Sequence, residues 1–253
     1  MVIRRLKKVR LAWGITGAGH FLQDSFELMR SLKKELNADM TIFVSKAGRE
    51  VIRMYGLSDS LLELADDSHF NESFFEEDQG ASFPKAARLA IGEYDALIVS
   101  PTTTNTVAKI LQGIADTLVT VCVSHAMKGE VPVIIVPTDP YEGFIETTLA
   151  ITTDPLLCES CDPCPVVEVC PKEAAFLREG KISIDLLKCN GCKKCVEACS
   201  YNAIKWGEKA KIKTRKIDVE NAKKLSEIEG ISVLDTPFKV KDVLKEILNP
   251  SQD

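Results

Sequence analysis

Residues 95–118 read DALIVSPTTTNTVAKILQGIADTL, and this stretch decides the fold class. It opens with a short apolar run of the kind that forms a strand covered on both faces. Hydroxyl and amide side chains then crowd the start of a helical pattern, where free N–H groups and the helix dipole favour a phosphate. An ordinary helix cap needs only one such residue. We therefore predict a cofactor-binding turn at Thr102, Thr103, Thr104, Asn105 and Thr106.

Three more apolar runs have the same character: residues 10–15 (RLAWGI), 40–45 (MTIFVS) and 132–136 (PVIIV). Between the first two runs, apolar residues recur at helical spacing on one face: Leu22, Phe26, Met29, Leu32 and Leu36. Strands that alternate with helices predict an α/β fold with a Rossmann-like (flavodoxin-like) parallel sheet. Residues 66–84 are acidic and aromatic without a clear period, and we predict a long loop there.

The first apolar run leads into a glycine-rich turn, Gly14-Ile15-Thr16-Gly17-Ala18-Gly19. Glycines let a backbone approach a phosphate closely, and the helix that follows offers free N–H groups. The spacing does not fit G-x-G-x-x-G, so NAD is not predicted. The candidate cofactor-binding residues in this turn are Gly14, Thr16, Gly17 and Ala18.

Eight of the nine cysteines fall within residues 158–199, in two runs with the ligand spacing of iron–sulfur proteins. In two-cluster ferredoxins, three cysteines of one run and the fourth of the other hold each [4Fe–4S] cluster. This rule assigns one cluster to Cys158, Cys161, Cys164 and Cys199, and the other to Cys170, Cys189, Cys192 and Cys195. Two C-x2-C pairs alone would also suit a zinc ribbon, but a third cysteine at the same spacing favours clusters. The ninth, Cys122, has the character of a small buried apolar residue.

The composition divides the chain into three parts. We predict an α/β cofactor-binding domain over residues 1–155 and a ferredoxin-like α+β module over residues 156–207. Residues 208–253 would contribute a strand and helices that complete the first domain, so the cysteine module is an insertion. The net charge of −5 shows no nucleic-acid footprint, and no apolar run is long enough for a membrane span. We expect a cytoplasmic protein.

The stretch PTTTNTVAKILQGIADTL resembles the P-A-T-A-N-T-x-A-K-x-x-x-G-I-A-D signature of the flavoprotein family, which includes flavin prenyltransferases and phosphopantothenoylcysteine decarboxylases. The GITGAG turn, together with Ser45 and Lys46 after the second strand, is similar to other FMN-contact positions of that family. The resemblance covers residues 8–150 and 216–249. It implies FMN bound at subunit interfaces of a homo-oligomer, a trimer or a multiple of three. It also implies a helix over residues 118–128, which local propensity favours as a strand.

Residues 156–207, including DLLKCNGCKKCVEACSYNAI, resemble the two-cluster ferredoxins. Two departures are a longer spacing before Cys170 and a serine after Cys199, and neither removes a ligand. A flavin domain fused to such a module is similar to the archaeal dihydromethanopterin reductases (acceptor) and archaeoflavoproteins. That resemblance implies a ferredoxin or similar low-potential electron donor, and a pterin substrate that is reduced to its tetrahydro form.

The decarboxylases of the flavoprotein family carry a catalytic histidine before the strand at residues 95–100, and this sequence has none there. His20, His69 and His125 have the character of structural or solvent-facing residues, so the catalytic residues are not predicted. Ser45 or Lys46 would polarise the flavin, and Asp116 and Asp139 would supply polar contacts to flavin or pterin. Two alternatives stay open: an electron carrier without an organic substrate, and a redox-sensing module.

Overall fold

The computed structural model describes residues 8–249. Six strands form one wholly parallel sheet. They are β1 (Arg10–Ile15), β2 (Asp39–Val44), β3 (Ser73–Phe75), β4 (Ala96–Thr102), β5 (Val133–Pro137) and β12 (Ile231–Val233). Their order across the sheet is β3-β2-β1-β4-β5-β12. The predicted Rossmann-like parallel sheet is confirmed. Numbered along the chain, the order is 3-2-1-4-5-6, which is that of dinucleotide-binding folds rather than of flavodoxin.

This strand order reverses between β1 and β4, which are neighbours in the sheet although β2 and β3 lie between them in the chain. Ligands of open α/β sheets bind outside the carboxyl ends of the strands at such a reversal. The glycine-rich turn follows β1, and the hydroxyl-rich turn follows β4. Both predicted cofactor turns therefore lie at the switch point of the sheet.

Helices cover both faces of the sheet and bury two apolar clusters against it, one around Phe43 and one around Trp13. The helices of this part are α1 (Leu22–Leu36), α2 (Lys46–Met54), α3 (Ser58–Leu64), α4 (Ala87–Ala90), α5 (Thr104–Leu111), α6 (Leu118–Lys128), α9 (Lys216–Leu225) and α10 (Val240–Leu248). Helix α6 occupies the stretch for which local propensity favours a strand. Thr117 and Thr120 form a capping box at its start, and this local signal fixes the helix.

The expected long loop at residues 66–84 is only partly correct. Within it, β3 pairs with β2 as the edge strand of the sheet, and Phe74 packs on Phe43 with 5.7 Å between ring centroids. Next to β3, Glu72 forms an ion pair with Arg88. A strand of three residues is too short to show a period in the sequence, so its position is set by these tertiary contacts.

The cysteine-rich part connects to the sheet domain through two antiparallel strand pairs. The outer pair is β6 (Phe144–Thr148) with β11 (Lys209–Lys213), and the inner pair is β7 (Ile151–Thr153) with β10 (Ile204–Trp206). Beyond them lie α7 (Pro165–Val169), the hairpin β8 (Ala175–Arg178) with β9 (Lys181–Ile184), and α8 (Lys194–Ala198). In the inner pair, a strand from before residue 155 pairs with a strand from within residues 156–207. The predicted domain boundaries at 155/156 and 207/208 therefore stay predictions. No helix within residues 8–249 is long and apolar enough to span a membrane.

Candidate cofactor sites

Thr16 joins the turns after β1 and β4. Its side chain is buried, and its hydroxyl donates to the Pro101 carbonyl oxygen at 2.8 Å. The same hydroxyl accepts a hydrogen bond from the Thr103 backbone N–H at 2.8 Å. The Thr16 N–H also donates to Pro101 O, at 3.3 Å. One buried side chain therefore holds the two predicted cofactor turns in register.

At the start of α5, some candidate side chains form hydrogen bonds within the protein and others do not. Thr103 caps the helix by accepting from the Thr106 N–H at 3.3 Å, and the two hydroxyls lie 3.0 Å apart. Thr102 is fully buried, and its hydroxyl donates to Val99 O at 2.7 Å. In the described part of the chain, the Thr104 and Asn105 side chains make no hydrogen bond. These two side chains, with the free N–H groups of the helix, are available to a phosphate.

The start of α2 packs against the glycine-rich turn. Ser45 caps this helix by accepting from the Gly48 N–H at 3.0 Å. A Cβ on Gly17 would lie 2.5 Å from Ala47 Cβ, and a Cβ on Gly48 would lie 2.7 Å from Ile15 O. Only glycine allows this approach at either position. Gly48 was missed from the sequence, because its role depends on contact with β1 and not on any local motif.

Gly14 is buried within β1, Ala18 is also buried, and Lys46 is exposed at the first position of α2. The start of α2 therefore places the cationic side chain of Lys46 beside the two cofactor turns. The Ser45 hydroxyl accepts from Gly48 and still has its own proton to donate. The turns after β1, β2 and β4 thus present helix N–H groups, one cation and free polar side chains at a single edge of the sheet.

The remaining polar candidates have protein partners. Asp116 forms an ion pair with Lys109 at 2.8 Å, and Asp139 accepts from the Thr138 hydroxyl at 2.6 Å. His20 directly follows the glycine-rich turn and is half-buried. Its burial lowers its pKa below the ordinary value, although Asp139 and Asp24 oppose this shift. His20 therefore lies next to the glycine-rich turn and within electrostatic range of Asp139.

The eight cysteines surround two separate cavities. One cavity is lined by Cys189, Cys192 and Cys195 of the second run together with Cys170 of the first. The other is lined by Cys158, Cys161, Cys164 and Cys199. The structure therefore brings together the two groups of four that the crossed-ligand rule of ferredoxins combines.

Backbone N–H groups point at several of these sulfurs. Ala174 donates to Cys170 Sγ at 3.3 Å, Ile182 to Cys158 Sγ at 3.4 Å, and Gly191 to Cys189 Sγ at 3.4 Å. Burial alone would raise the pKa of Cys170, but the N–H groups around it outweigh burial and lower that pKa. Such hydrogen bonds stabilise thiolate sulfur, which is the form that binds iron.

The cysteines of residues 8–249 do not form the tight group that a single metal ion needs. A structural zinc draws four ligands to about 2.0–2.3 Å from one centre. Within residues 8–249, no three His, Cys, Asp or Glu side chains converge closely enough to hold one metal ion. Burial, followed by the neighbouring Cys189 and Cys192, raises the pKa of Cys195 to about 11. Each cavity is lined by four cysteines, which is the number of thiolates that hold a [4Fe–4S] cluster.

A Rossmann-type sheet with glycine- and hydroxyl-rich turns at its carboxyl edge, joined in one chain to two four-cysteine cavities, has the features of an iron–sulfur flavoprotein. A family model described as Flavoprotein matches residues 2–146, and one described as a 4Fe-4S dicluster domain matches residues 149–230. The chain belongs to the flavoprotein family.

Relatives extend over both parts of the chain. A dihydromethanopterin reductase (acceptor) of Methanosarcina mazei is 46% identical over 237 residues, which are 92% of this chain and 98% of that protein. A protein of the same name from Methanocaldococcus jannaschii is 42% identical over 233 residues, 92% of this chain and 94% of that protein. The structure of Burkholderia xenovorans DmrB in complex with FMN aligns with a TM-score of 0.61 at 24% identity, covering 96% and 97% of the two chains. This last likeness shows the fold.

Proposed function

We propose that this protein reduces dihydromethanopterin, or a related pterin, to the tetrahydro form with electrons from a low-potential donor. The observation that carries this proposal is the 46% identity to a dihydromethanopterin reductase (acceptor) along 98% of its length. That match includes both the flavin domain and the cysteine module. A reductase that is fed by single electrons uses both parts.

The cofactors of this proposal are FMN and two [4Fe–4S] clusters. When bound, clusters exchange single electrons, and a flavin converts between single-electron and hydride chemistry. The FMN phosphate would lie at the start of α5, where Thr104 and Asn105 have free side chains. Gly14, Thr16, Gly17, Ala18, Thr102, Thr103 and Thr106 would shape the turns around it. Ser45 and Lys46 would face the flavin ring, with one hydroxyl proton and one cation to polarise it.

The cysteines would hold the clusters in the two groups that the structure brings together, each group around its own cavity. The N–H groups of Ala174, Ile182 and Gly191 would donate to the sulfurs and so stabilise their negative charge. The apolar packing around the sulfurs, with Val166 and Ala203 buried, would limit the access of water. Both features tune the potential at which electrons are taken up and released.

Reduction rather than decarboxylation agrees with the segment before β4. This segment, SFPKAARLAIGEYD (residues 82–95), folds into a short 3-10 turn and α4, and it buries Phe83 and Leu89 in the core. It contains no histidine, the residue that the cysteine decarboxylases of this family use at that point. We therefore expect no release of CO2 from peptidyl-cysteine substrates.

We also propose that the protein works as a homo-oligomer built on threefold symmetry, in the cytoplasm, with a ferredoxin or a similar protein as donor. The Burkholderia xenovorans DmrB apo structure, 25% identical with a TM-score of 0.59, is described as a cubic protein cage for redox transfer. Every cubic point group contains threefold axes, so a relative with that assembly supports trimeric contacts here. Cysteines that must stay reduced to bind iron, and a reducing donor, both favour a reducing compartment.

Anaerobic turnover tests the proposed function. Protein reconstituted with iron, sulfide and FMN is mixed with dihydromethanopterin and a chemically reduced ferredoxin, and the tetrahydro product is measured. We expect catalytic formation of tetrahydromethanopterin that depends on both the protein and the ferredoxin. Full reduction of the bound flavin without oxidation by pterin would contradict the proposal and favour the electron-carrier alternative.

A further inference from the structure

Two glycines bring the second cysteine run into backbone contact with the flavin domain. Gly191 lies between Cys189 and Cys192, and Gly56 lies two residues after the end of α2. A Cβ on Gly191 would lie 2.4 Å from Gly56 N and 2.8 Å from Met54 O. A Cβ on Gly56 would lie 2.8 Å from Gly191 O. The φ angles are +68° and +67°, so glycine is required both by conformation and by space.

A second contact fixes the same end of α2. The Tyr55 hydroxyl donates to Thr148 O at 2.7 Å, on the strand β6 that leads into the cysteine module. The residues that end α2 are therefore held on one side by the strand pair of the module and on the other by its second cysteine run. The module is seated on the flavin domain at this point and is not only tethered by its strands.

Helix α2 connects this contact with the candidate flavin site. Its first residues, with the cap Ser45, lie beside the glycine-rich turn, and its last residues contact Gly191. Nine helical residues span about 13 Å at 1.5 Å per residue. The cavity of Cys170, Cys189, Cys192 and Cys195 is thus about one short helix away from the cofactor turns.

Within residues 8–249, no glycine of the first cysteine run makes a comparable backbone contact with the flavin domain. The residues that line both cavities belong to the module and to the strands that lead into it. The difference lies in the backbone contact of Gly56 with Gly191, which joins the second cysteine run to the end of α2. Near the first run, a Cβ on Gly180 would lie 3.6 Å from Ser160 Oγ, which also belongs to the module.

We propose that the two cluster sites have fixed and different places in electron delivery, and this rests on the proposed function. The second-run site is the inner one, positioned by Gly56 and Gly191, and the first-run site is the outer one, which receives electrons from the donor protein. Each electron comes from a reduced donor molecule, which is oxidised by one electron as it gives the electron up. Two of them, with protons from water, reduce the flavin by one electron pair. Gly56 and Gly191 are positioning residues for the inner site.

A matched pair of glycine variants tests the contact between Gly191 and Gly56. Gly191→Ala places a methyl group against Gly56 N, whereas Gly180→Ala, at φ +75°, has the same backbone strain with only ordinary contact. Both are made in the full chain with FMN and clusters loaded. We expect both to retain about eight irons. Gly191→Ala should slow flavin reduction by reduced ferredoxin at least tenfold, and Gly180→Ala should stay within twofold of wild type. Equal rates in the two variants would overturn the proposal.

Single-cluster variants give a readout that does not depend on turnover or on pterin. Cys161→Ser removes an outer ligand, and Cys192→Ser removes an inner one. The EPR spectrum and midpoint potential of the cluster that remains are measured with FMN bound and after its removal. We expect removal of FMN to shift the signal in Cys161→Ser and leave that of Cys192→Ser unchanged. The opposite pattern, or no shift in either, would overturn the assignment, even in a protein that reduces pterin normally.

Discussion

The buried hydroxyl of Thr16 offers the sharpest test of the flavin site, through the substitution Thr16→Val. Valine has nearly the same shape, so it keeps the packing but removes both hydrogen bonds of the hydroxyl. Thr16 is only 2% exposed, and water therefore does not replace the lost partner. The turns after β1 and β4 would lose the atom that holds them in register.

The size of the effect follows from which groups lose their partners. The Thr103 N–H loses its acceptor at 2.8 Å, and an orphaned buried donor costs about 1–3 kcal/mol. Pro101 O loses one donor but keeps the Thr16 N–H at 3.3 Å, so this second loss costs about 0.5–1.5 kcal/mol. We expect the free energy of unfolding to fall by about 2–4 kcal/mol. If half of this loss, about 1–2 kcal/mol, weakens FMN binding, the affinity for FMN drops about five- to thirtyfold, because 1.4 kcal/mol is tenfold.

The assay is urea unfolding of the flavin-free protein, together with titration of FMN by quenching of its fluorescence. Thr41→Val is the matched control, since Thr41 is also fully buried on a neighbouring strand and its hydroxyl donates to Phe70 O at 3.1 Å. The control should lose about 1 kcal/mol and keep FMN affinity within twofold. If Thr16→Val bound FMN as tightly as this control, Thr16 would not be the residue that aligns the two turns.

Three further variants test separate parts of the structure. Cys195→Ser should lower bound iron from about eight to about four per chain, measured by iron analysis of anaerobically reconstituted protein; loss of less than one iron would contradict the ligand assignment. Asn105→Ala should weaken FMN about tenfold and leave riboflavin, which lacks the phosphate, nearly unchanged; an equal loss for both would place the phosphate elsewhere. Burial lowers the pKa of His20 below 6.5, so the unfolded state binds more protons, and stability falls as pH drops through 6.5. His20→Gln should flatten this part of the urea-unfolding profile, and an unchanged slope between pH 5 and pH 7 would exclude His20 as its source.

The central strands could be predicted because each is a continuous apolar run with a polar or glycine boundary. The predicted run at residues 10–15 coincides with β1, and the run at 40–45 is displaced from β2 by one residue. Strand β3 could not be predicted, because three residues carry no period and its pairing with β2 depends on packing such as that of Phe74. Strands that are buried on both faces could be predicted from the sequence, whereas the short edge strand β3 that pairs with β2 could not.

The candidate site shows a similar division. The cysteines and the hydroxyl-rich turn are local patterns, because one loop must wrap a cluster and one helix start must meet a phosphate. Gly48, Gly56 and Gly191 act only through segments that are distant in sequence, and a lone glycine has many possible reasons. A three-dimensional contact is therefore needed to separate these glycines from those, such as Gly80, with open space around them.

The topology explains why the cysteine module lies next to the flavin site. Parallel strands β5 and β12 are neighbours, so the chain between them must cross from the carboxyl edge of the sheet to its amino edge. Helix α9 makes this return, and the module is inserted before α9, directly after β5 ends at Pro137. An insertion at that point must emerge at the carboxyl edge, where the turns after β1, β2 and β4 also lie. The same insertion placed after α9 would emerge at the opposite edge, with the whole sheet between the clusters and the flavin. The position of the insertion in the chain is thus itself a condition for electron transfer.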